Sequence, residues 1–350
     1  MLIFAGQSNA GNTTDLSVLP TEPVDLRLPQ TDVLFNYWNP KKDWASDGWI
    51  SLQPIPNAGP RFGPEVLFGR ALANAYPNEQ FAILKVWAGG TNLRTGWDPD
   101  ATTGARMYSS LTPRLNDGLA LLVADGFNPV VSGFFWTQGE GDSGKLNPAI
   151  AYEQNLTNFI ASVRSDWGYM PFVFNQLHVD ADREFSDVLR QSQANVTANV
   201  DGVVMINIDD LALGADSVHL TAEGRRDLGV RLGNGYLQAA NIGGDANLDG
   251  FVTFGDFAVL QPNFGQPGNW PEGDFDSDGQ VTFADFAILQ NNFGMAVAPA
   301  ATPEPATLAL LVCGGLLFGW RPSRSAQFTT NRVPIGPVLP AGPRVCGSRG

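Results

Sequence analysis

From residue 1 to about residue 240, short continuous apolar runs alternate with longer segments whose apolar residues recur every three to four positions. The runs at 2–5, 81–87, 130–136, 172–177 and 203–208 are rich in Val, Ile, Leu and Phe, and polar or glycine-containing sequence follows each of them. Runs of this length and composition predict strands buried on both faces. Helical spacing marks 65–76, 108–124, 150–167, 187–198 and 221–239. Such alternation predicts an α/β domain over 1–240, a parallel sheet with helices on both faces, and a ligand site at the carboxyl ends of its strands. The polar clusters 6–8, 89–91 and 138–140 each follow a predicted strand and are expected to converge on one edge. The stretch 16–60 is proline-rich, carries Trp38, Trp44 and Trp49, and reads as a long loop insertion that walls a groove.

Near residue 241 the pattern changes to a tandem repeat with an offset of 29 residues over 243–295. Each copy sets oxygen donors at loop positions 1, 3, 5, 9 and 12 with glycine at 6, the spacing of an EF-hand calcium loop, where position 7 supplies its backbone carbonyl. The first set is Asp245, Asn247, Asp249, Phe251 (carbonyl), Thr253 and Asp256; the second is Asp274, Asp276, Asp278, Gln280 (carbonyl), Thr282 and Asp285. An Asp-Gly turn cluster without metal is the alternative, and duplication at fixed offset weighs against it. Two calcium ions are therefore expected.

Charge and cysteine content narrow the partners. The net charge of −14 disfavours nucleic acid and anionic bilayers, which would repel the chain. The two cysteines, Cys313 and Cys346, lie near the C-terminus, so the main domain has neither a disulfide framework nor a thiolate zinc site.

Candidate chemistry starts at Gly6-Gln7-Ser8-Asn9, directly after the first apolar run. A serine on a sharp strand-to-loop turn is exposed and open to a base, and a serine hydroxyl needs one. With only His178 and His219 in the chain, few serine triads are available. His219 has Asp216 three positions before it to orient the ring; His178 lacks such a carboxylate and ranks as peripheral. Taken singly, Ser8 as a helix cap and His219 as a loop residue are the plainer readings. An oxyanion would need donors, for which the Ser8 amide, Gly90 of the Gly89-Gly90 pair and the side chain of Gln138 are candidates. Gln7, Arg61 and Glu140 are candidate substrate-binding residues; an ion pair supporting the loops would explain Arg61 and Glu140 equally well.

The ordered motifs Gly6-Gln7-Ser8-Asn9, Phe62-Gly63-Pro64-Glu65, Lys85 to Gly89-Gly90-Thr91, Trp136-Thr137-Gln138-Gly139-Glu140, Leu189-Arg190-Gln191 and Asp216 to His219 resemble the SGNH/GDSL hydrolases. Within them the likeness is to the sialate O-acetylesterase-like branch, which includes acetyl xylan esterases. The resemblance implies a flavodoxin-like three-layer α/β/α domain and a cofactor-free Ser8–His219–Asp216 deacetylase, with Gly90 and Gln138 completing the oxyanion hole. Ala10 stands where that branch often has methionine. The repeats resemble a type I dockerin, a small α-helical module, which implies a cohesin-like protein partner; a calcium-stiffened spacer stays open.

The segment 302–324, with Pro303-Glu304-Pro305, an apolar stretch at 306–320 and then Arg321 and Arg324, resembles a PEP-CTERM sorting signal. That stretch is short of the roughly twenty residues a stable span needs, so contact with a membrane is expected only in transit. The likeness implies export to the surface or matrix of a Gram-negative-type bacterium. The chain opens inside its first predicted strand with no signal peptide, which suggests a true start upstream. Residues 325–350 read as a disordered tail. The combined expectation is an exported esterase acting on an acetylated carbohydrate of sialic acid or xylan type. The rival is a non-catalytic surface or assembly protein working through the repeat module.

Overall fold

The computed structural model describes residues 1–57, 59–102, 106–276 and 278–296. In chain order the strands are β1 (Leu2–Gly6), β2 (Gln30–Asn39), β3 (Trp44–Ala45), β4 (Ile50–Leu52), β5 (Phe81–Trp87), β6 (Gly133–Thr137), β7 (Phe172–Asn175) and β8 (Val203–Ile206). The α-helices are α1 (Glu65–Ala75), α2 (Leu93–Gly96), α3 (Met107–Ala124), α4 (Leu146–Trp167), α5 (Ser186–Asn199), α6 (Ala222–Ala240), α7 (Phe254–Asn263) and α8 (Phe283–Asn292).

One sheet runs β3-β2-β5-β1-β6-β7-β8, with β4 also paired to β2. β2, β5, β1, β6, β7 and β8 are parallel, while β3 and β4 lie antiparallel on β2. The run β5-β1-β6-β7-β8 has the flavodoxin-like order, in which connections leave the central strand in opposite directions and open a crevice at its carboxyl end. Ser8 lies two residues beyond that strand.

Strand alternation explains why β1 is apolar at every position. Leu2 and Phe4 join a core with Phe68 and Leu72 of α1 and Leu228 and Leu232 of α6. Ile3 and Ala5 face the opposite layer, with Leu111 of α3, Phe159 of α4 and Leu189 of α5. The sheet is thus covered on both sides, as the alternation of runs predicted.

Two expectations change. The stretch 16–60 is not only a loop, because β2, β3 and β4 lie inside it and extend the sheet beyond β5. Val33, Phe35 and Tyr37 alternate into the core there, a period-two signal that the surrounding prolines obscured. The strand expected to start at 130 begins at Gly133, since its register with β1 starts at Leu2↔Gly133.

The repeats form the α7 and α8 arms of a near-symmetric pair. Val252 N–H donates to Met295 O (3.0 Å) and Val281 N–H to Gln266 O (2.9 Å), so each loop pairs with the segment after the other repeat's helix. Val252, Leu260, Trp270, Val281 and Leu289 continue the same apolar core that holds Tyr236 and Leu237 of α6. The Asn234 side chain on α6 donates to Asn269 Oδ1 (3.1 Å), tying the repeats to the sheet domain, and at the end of α6 Asn241 donates to Tyr76 Oη (2.7 Å). No helix among the described residues is long and apolar enough to cross a membrane. The segments 302–324 and 325–350 lie outside the described residues.

Candidate active site

The turn after β1 requires glycine. Gly6 has φ +152°, and a Cβ there would lie 2.2 Å from Thr137 O. This close approach lets Gln7 N–H donate to Thr137 O (3.0 Å) and throws the chain into a single 3₁₀ turn, Ser8–Ala10. Ser8 sits half-exposed at its tip while Gln7, Asn9 and Ala10 are buried. The Gly89-Gly90 turn lies alongside, since a Cβ on Gly89 would stand 3.7 Å from that of Ser8. Gly90 adopts φ +68°, a left-handed conformation that favours glycine. Among the described residues no protein acceptor takes the N–H of Ser8 or Gly90. Lys41 Nζ holds the turn from outside by donating to Gly89 O (2.7 Å).

The base loop is built on Asp216. Its Oδ1 accepts the N–H groups of Val218 (3.0 Å) and His219 (2.9 Å), and its Oδ2 lies 2.6 Å from His219 Nδ1. The hydrogen bond with His219 is the foremost reason its carboxyl is held well below the usual carboxylate range. An ionised Asp216 fixes the Nδ1–H tautomer and leaves Nε2 free to take a proton. Asn9, next to Ser8, joins this loop to the serine turn. Its Nδ2 donates to Val218 O (3.0 Å) and its Oδ1 accepts from Leu220 N (3.0 Å), on either side of His219 and across 211 residues of sequence.

Other candidates are placed differently from expectation. Gln138 is buried, and its amide nitrogen donates to Gln7 Oε1 (3.1 Å) and Asp142 Oδ2 (2.7 Å) while its Oε1 accepts from Tyr152 Oη (3.0 Å). Its two N–H groups are thereby engaged, so the expected side-chain oxyanion donor is a buried bracket in this structure. Gln7 is equally enclosed: its Oε1 accepts from Gln138 and from Gly141 N (3.0 Å), which removes it from any substrate-facing surface. Glu140 is buried too and accepts from Asn9 Nδ2 at 2.5 Å, with desolvation pushing its carboxyl up. Arg61 packs its guanidinium 5.4 Å from the Trp44 ring centroid, at the edge formed by the insertion. His178 is locked into the fold, accepting Asp180 N–H at Nδ1 (3.0 Å) with Nε2 3.0 Å from Leu211 O.

Sequence reasoning missed two residues. Asp142 accepts from Leu93 N (2.7 Å), Arg94 N (3.3 Å) and Gln138, bracing the loop after β5 against the loop after β6. Asn9 was visible only as a letter of the serine motif. Nothing in a linear pattern announces contacts to residues 140, 218 and 220.

In the second repeat loop one carboxylate oxygen from each of Asp274, Asp276 and Asp278 falls within a 4.8 Å span. Burial and the neighbouring carboxylates push Asp274 up to about 7. Asp245 Oδ1 and Oδ2 accept from Asp249 N (3.1 Å) and Gly250 N (2.9 Å), the same local fold that Asp274 makes with Asp278 and Gly279. Asp256 and Asp285, expected as position-12 ligands, are turned to the backbone: each accepts two N–H groups on Oδ1 and the N-cap threonine N–H, from Thr253 or Thr282, on Oδ2. Thr253 and Thr282, expected at position 9, serve instead as helix N-caps, their Oγ1 atoms accepting from Gly255 N and Ala284 N (3.1 Å each), so the acidic oxygens that the second loop brings together are those of positions 1, 3 and 5.

Residues 1–238 match the family described as carbohydrate esterase, sialic acid-specific acetylesterase. A "probable carbohydrate esterase" of Arabidopsis thaliana is 24% identical over 177 residues, 50% of this chain and 63% of that protein, so the match spans less than two thirds of the relative. The crystal structure of that plant protein has a TM-score of 0.52 at 20% identity, covering 67% of this chain and 97% of the other. A carbohydrate acetylesterase from Xanthomonas citri has a TM-score of 0.50 at 19% identity over 68% of this chain and 56% of its own. These two likenesses show the fold.

Proposed function

The chain belongs to the carbohydrate esterase family of sialic acid-specific acetylesterases, and from that premise we propose that it removes O-acetyl groups from a glycan by serine catalysis. The observation that carries this reading is the Asp216–His219 contact of 2.6 Å on a loop that Asn9 bonds to the Ser8 turn. Ser8 Oγ attacks the acetyl carbonyl carbon as His219 Nε2 takes its proton, and Asp216 stabilises the resulting imidazolium. The N–H groups of Ser8 and Gly90 receive the oxyanion, each such donor being worth roughly 3 kcal/mol of barrier. His219 then returns the proton to the departing sugar oxygen, and water, activated by the same base, releases acetate from Ser8. No step calls for a metal or an organic cofactor.

The glycan is of sialic acid or xylan type in this reading. Incubation with O-acetylated sialosides and with acetylated xylan, with free acetate as the readout, tests it. Release from one class identifies the substrate, and a folded protein that releases acetate from neither overturns the carbohydrate assignment.

The repeats extend the proposal to two calcium ions, held by Asp245, Asn247 and Asp249 and by Asp274, Asp276 and Asp278. Bound there, calcium would neutralise the converging carboxylates and stiffen each loop. A ligand present at about a hundred times its Kd stabilises the folded state by about 2.7 kcal/mol. The melting midpoint is expected to rise when calcium replaces EGTA, with part of the rise lost in Asp274→Ala; equal midpoints would remove calcium from the account. Phe254 and Phe283, 77% and 76% exposed on the paired helices, are suited to a protein partner of the cohesin kind. Export to a bacterial surface or matrix rests on the sequence of 302–324 alone. The non-catalytic rival reading has less support, because the sequence keeps a serine, a histidine and an aspartate of the types a hydrolytic triad uses, with the last two in contact.

A further inference from the structure

The buried Glu140 carboxyl takes no part in the chemistry above, yet through Asn9 it is tied to the loop that carries the base. Its Oε1 accepts from Asn9 Nδ2 at 2.5 Å, and its Oε2 is buried with no hydrogen-bond partner among the described residues. Asn9 thereby completes three bonds, two as donor (to Glu140 and Val218 O) and one as acceptor (from Leu220 N). This set admits only one orientation of the amide. A flipped Asn9 would point its NH₂ at Leu220 N–H and its oxygen at a carboxylate and a carbonyl, losing all three. The amide therefore gauges the spacing between the Ser8 turn and the backbone on both sides of His219. Glu140 brings in the loop after β6 as the third wall.

We propose that Glu140 is a positioning residue, which holds the Asn9 amide in that single orientation and so sets His219 against Ser8. Its contribution is the acceptor oxygen rather than contact with substrate. The proposal rests on the triad reading. It separates two ways of using a buried carboxyl that look alike in sequence: as a substrate-binding group, the expectation from its motif, or as a spacer acting through another side chain. A misplacement of about 1 Å at reacting groups costs about 10²-fold in rate, so a loose amide should be visible in kcat.

The test is steady-state hydrolysis of p-nitrophenyl acetate by the full chain, with melting curves to confirm folding. Glu140→Ala and Asn9→Ala are expected to lower kcat by about 10–10²-fold with KM little changed. Glu140→Gln keeps an acceptor oxygen and should retain kcat within about threefold. Because both residues act through one bond, Asn9→Ala/Glu140→Ala should lose no more than Asn9→Ala alone. If Glu140→Ala melts below the assay temperature, Glu140→Leu fills the same volume without the acceptor and is read in the same way. Ser8→Ala in the same assay keeps the two readings apart. With Ser8→Ala inert, full activity in the folded Glu140→Ala or Glu140→Leu variant overturns the positioning role and spares the triad; a Glu140→Gln enzyme as slow as Glu140→Ala assigns the effect to charge and also overturns it. Substantial turnover by Ser8→Ala would instead strike the triad reading itself.

Discussion

Ser8→Ala is expected to cut ester hydrolysis by about 10⁶-fold, the scale seen when the nucleophile of a serine triad is removed, with no loss of thermal stability. Among the described residues no hydrogen bond of the serine side chain holds the turn; Gly6, the Gln7 N–H to Thr137 O bond and Asn9 do that. Removing Oγ therefore takes away the attacking atom and little else. Asp216→Asn belongs to the same experiment and should fall by up to about 10⁴-fold, because an amide at this position can present the wrong tautomer of the imidazole. It should also loosen the loop, since Asp216 accepts the Val218 and His219 amides. Initial rates on an aryl acetate, repeated on the acetylated glycan that the protein accepts, measure both. Wild-type rates in a folded Ser8→Ala protein would transfer the function to the repeat module.

The second large effect concerns stability. Lys85 on β5 and Glu65 at the start of α1 are both fully buried, with Lys85 Nζ 2.5 Å from Glu65 Oε2. Glu65 Oε1 accepts from Asn12 Nδ2 (3.1 Å) and Gly63 N (3.2 Å), and the ammonium lies 4.5 Å from the Trp87 ring centroid. Burial pulls the lysine down while Glu65 opposes it. Lys85→Met leaves a carboxylate buried without its countercharge, and breaking such a pair costs about 3–5 kcal/mol. Lys85→Met/Glu65→Gln removes both charges, keeps an acceptor for Gly63 and Asn12, and should recover most of the loss. Urea or thermal unfolding of the two variants decides it. A single variant as stable as wild type would mean that the pair contributes nothing. Gly63 packs against Gly11 O beside the serine turn, so Lys85→Met should also slow catalysis.

How much was legible depended on the reach of the contacts involved. β5 was read at its observed bounds, because a seven-residue run that is apolar except at Lys85, between Gln80 and the Gly89-Gly90 pair, leaves little freedom in its ends. α1 and α3 were read to within one residue at either end for the same local reason. β2 was missed because its signal alternates and prolines surround it; it becomes a strand by pairing with β5. Gln138 was read as a donor because its motif follows a strand end. Whether its N–H groups are open depended on Gln7 and Asp142, which a linear reading could not assign to it.

By itself, then, the chain's linear order determined the layered α/β design, the repeat with its acidic loops, and the short set of groups that a serine hydrolase would use. Those follow from periodicity, spacing and the scarcity of histidine, all of which are local properties. Only tertiary structure decided which polar atoms remain open and which are consumed in buried bonds. A donor or acceptor is allocated to whatever lies within about 3 Å of it, and at this site several of those neighbours are 131 to 211 positions away along the chain.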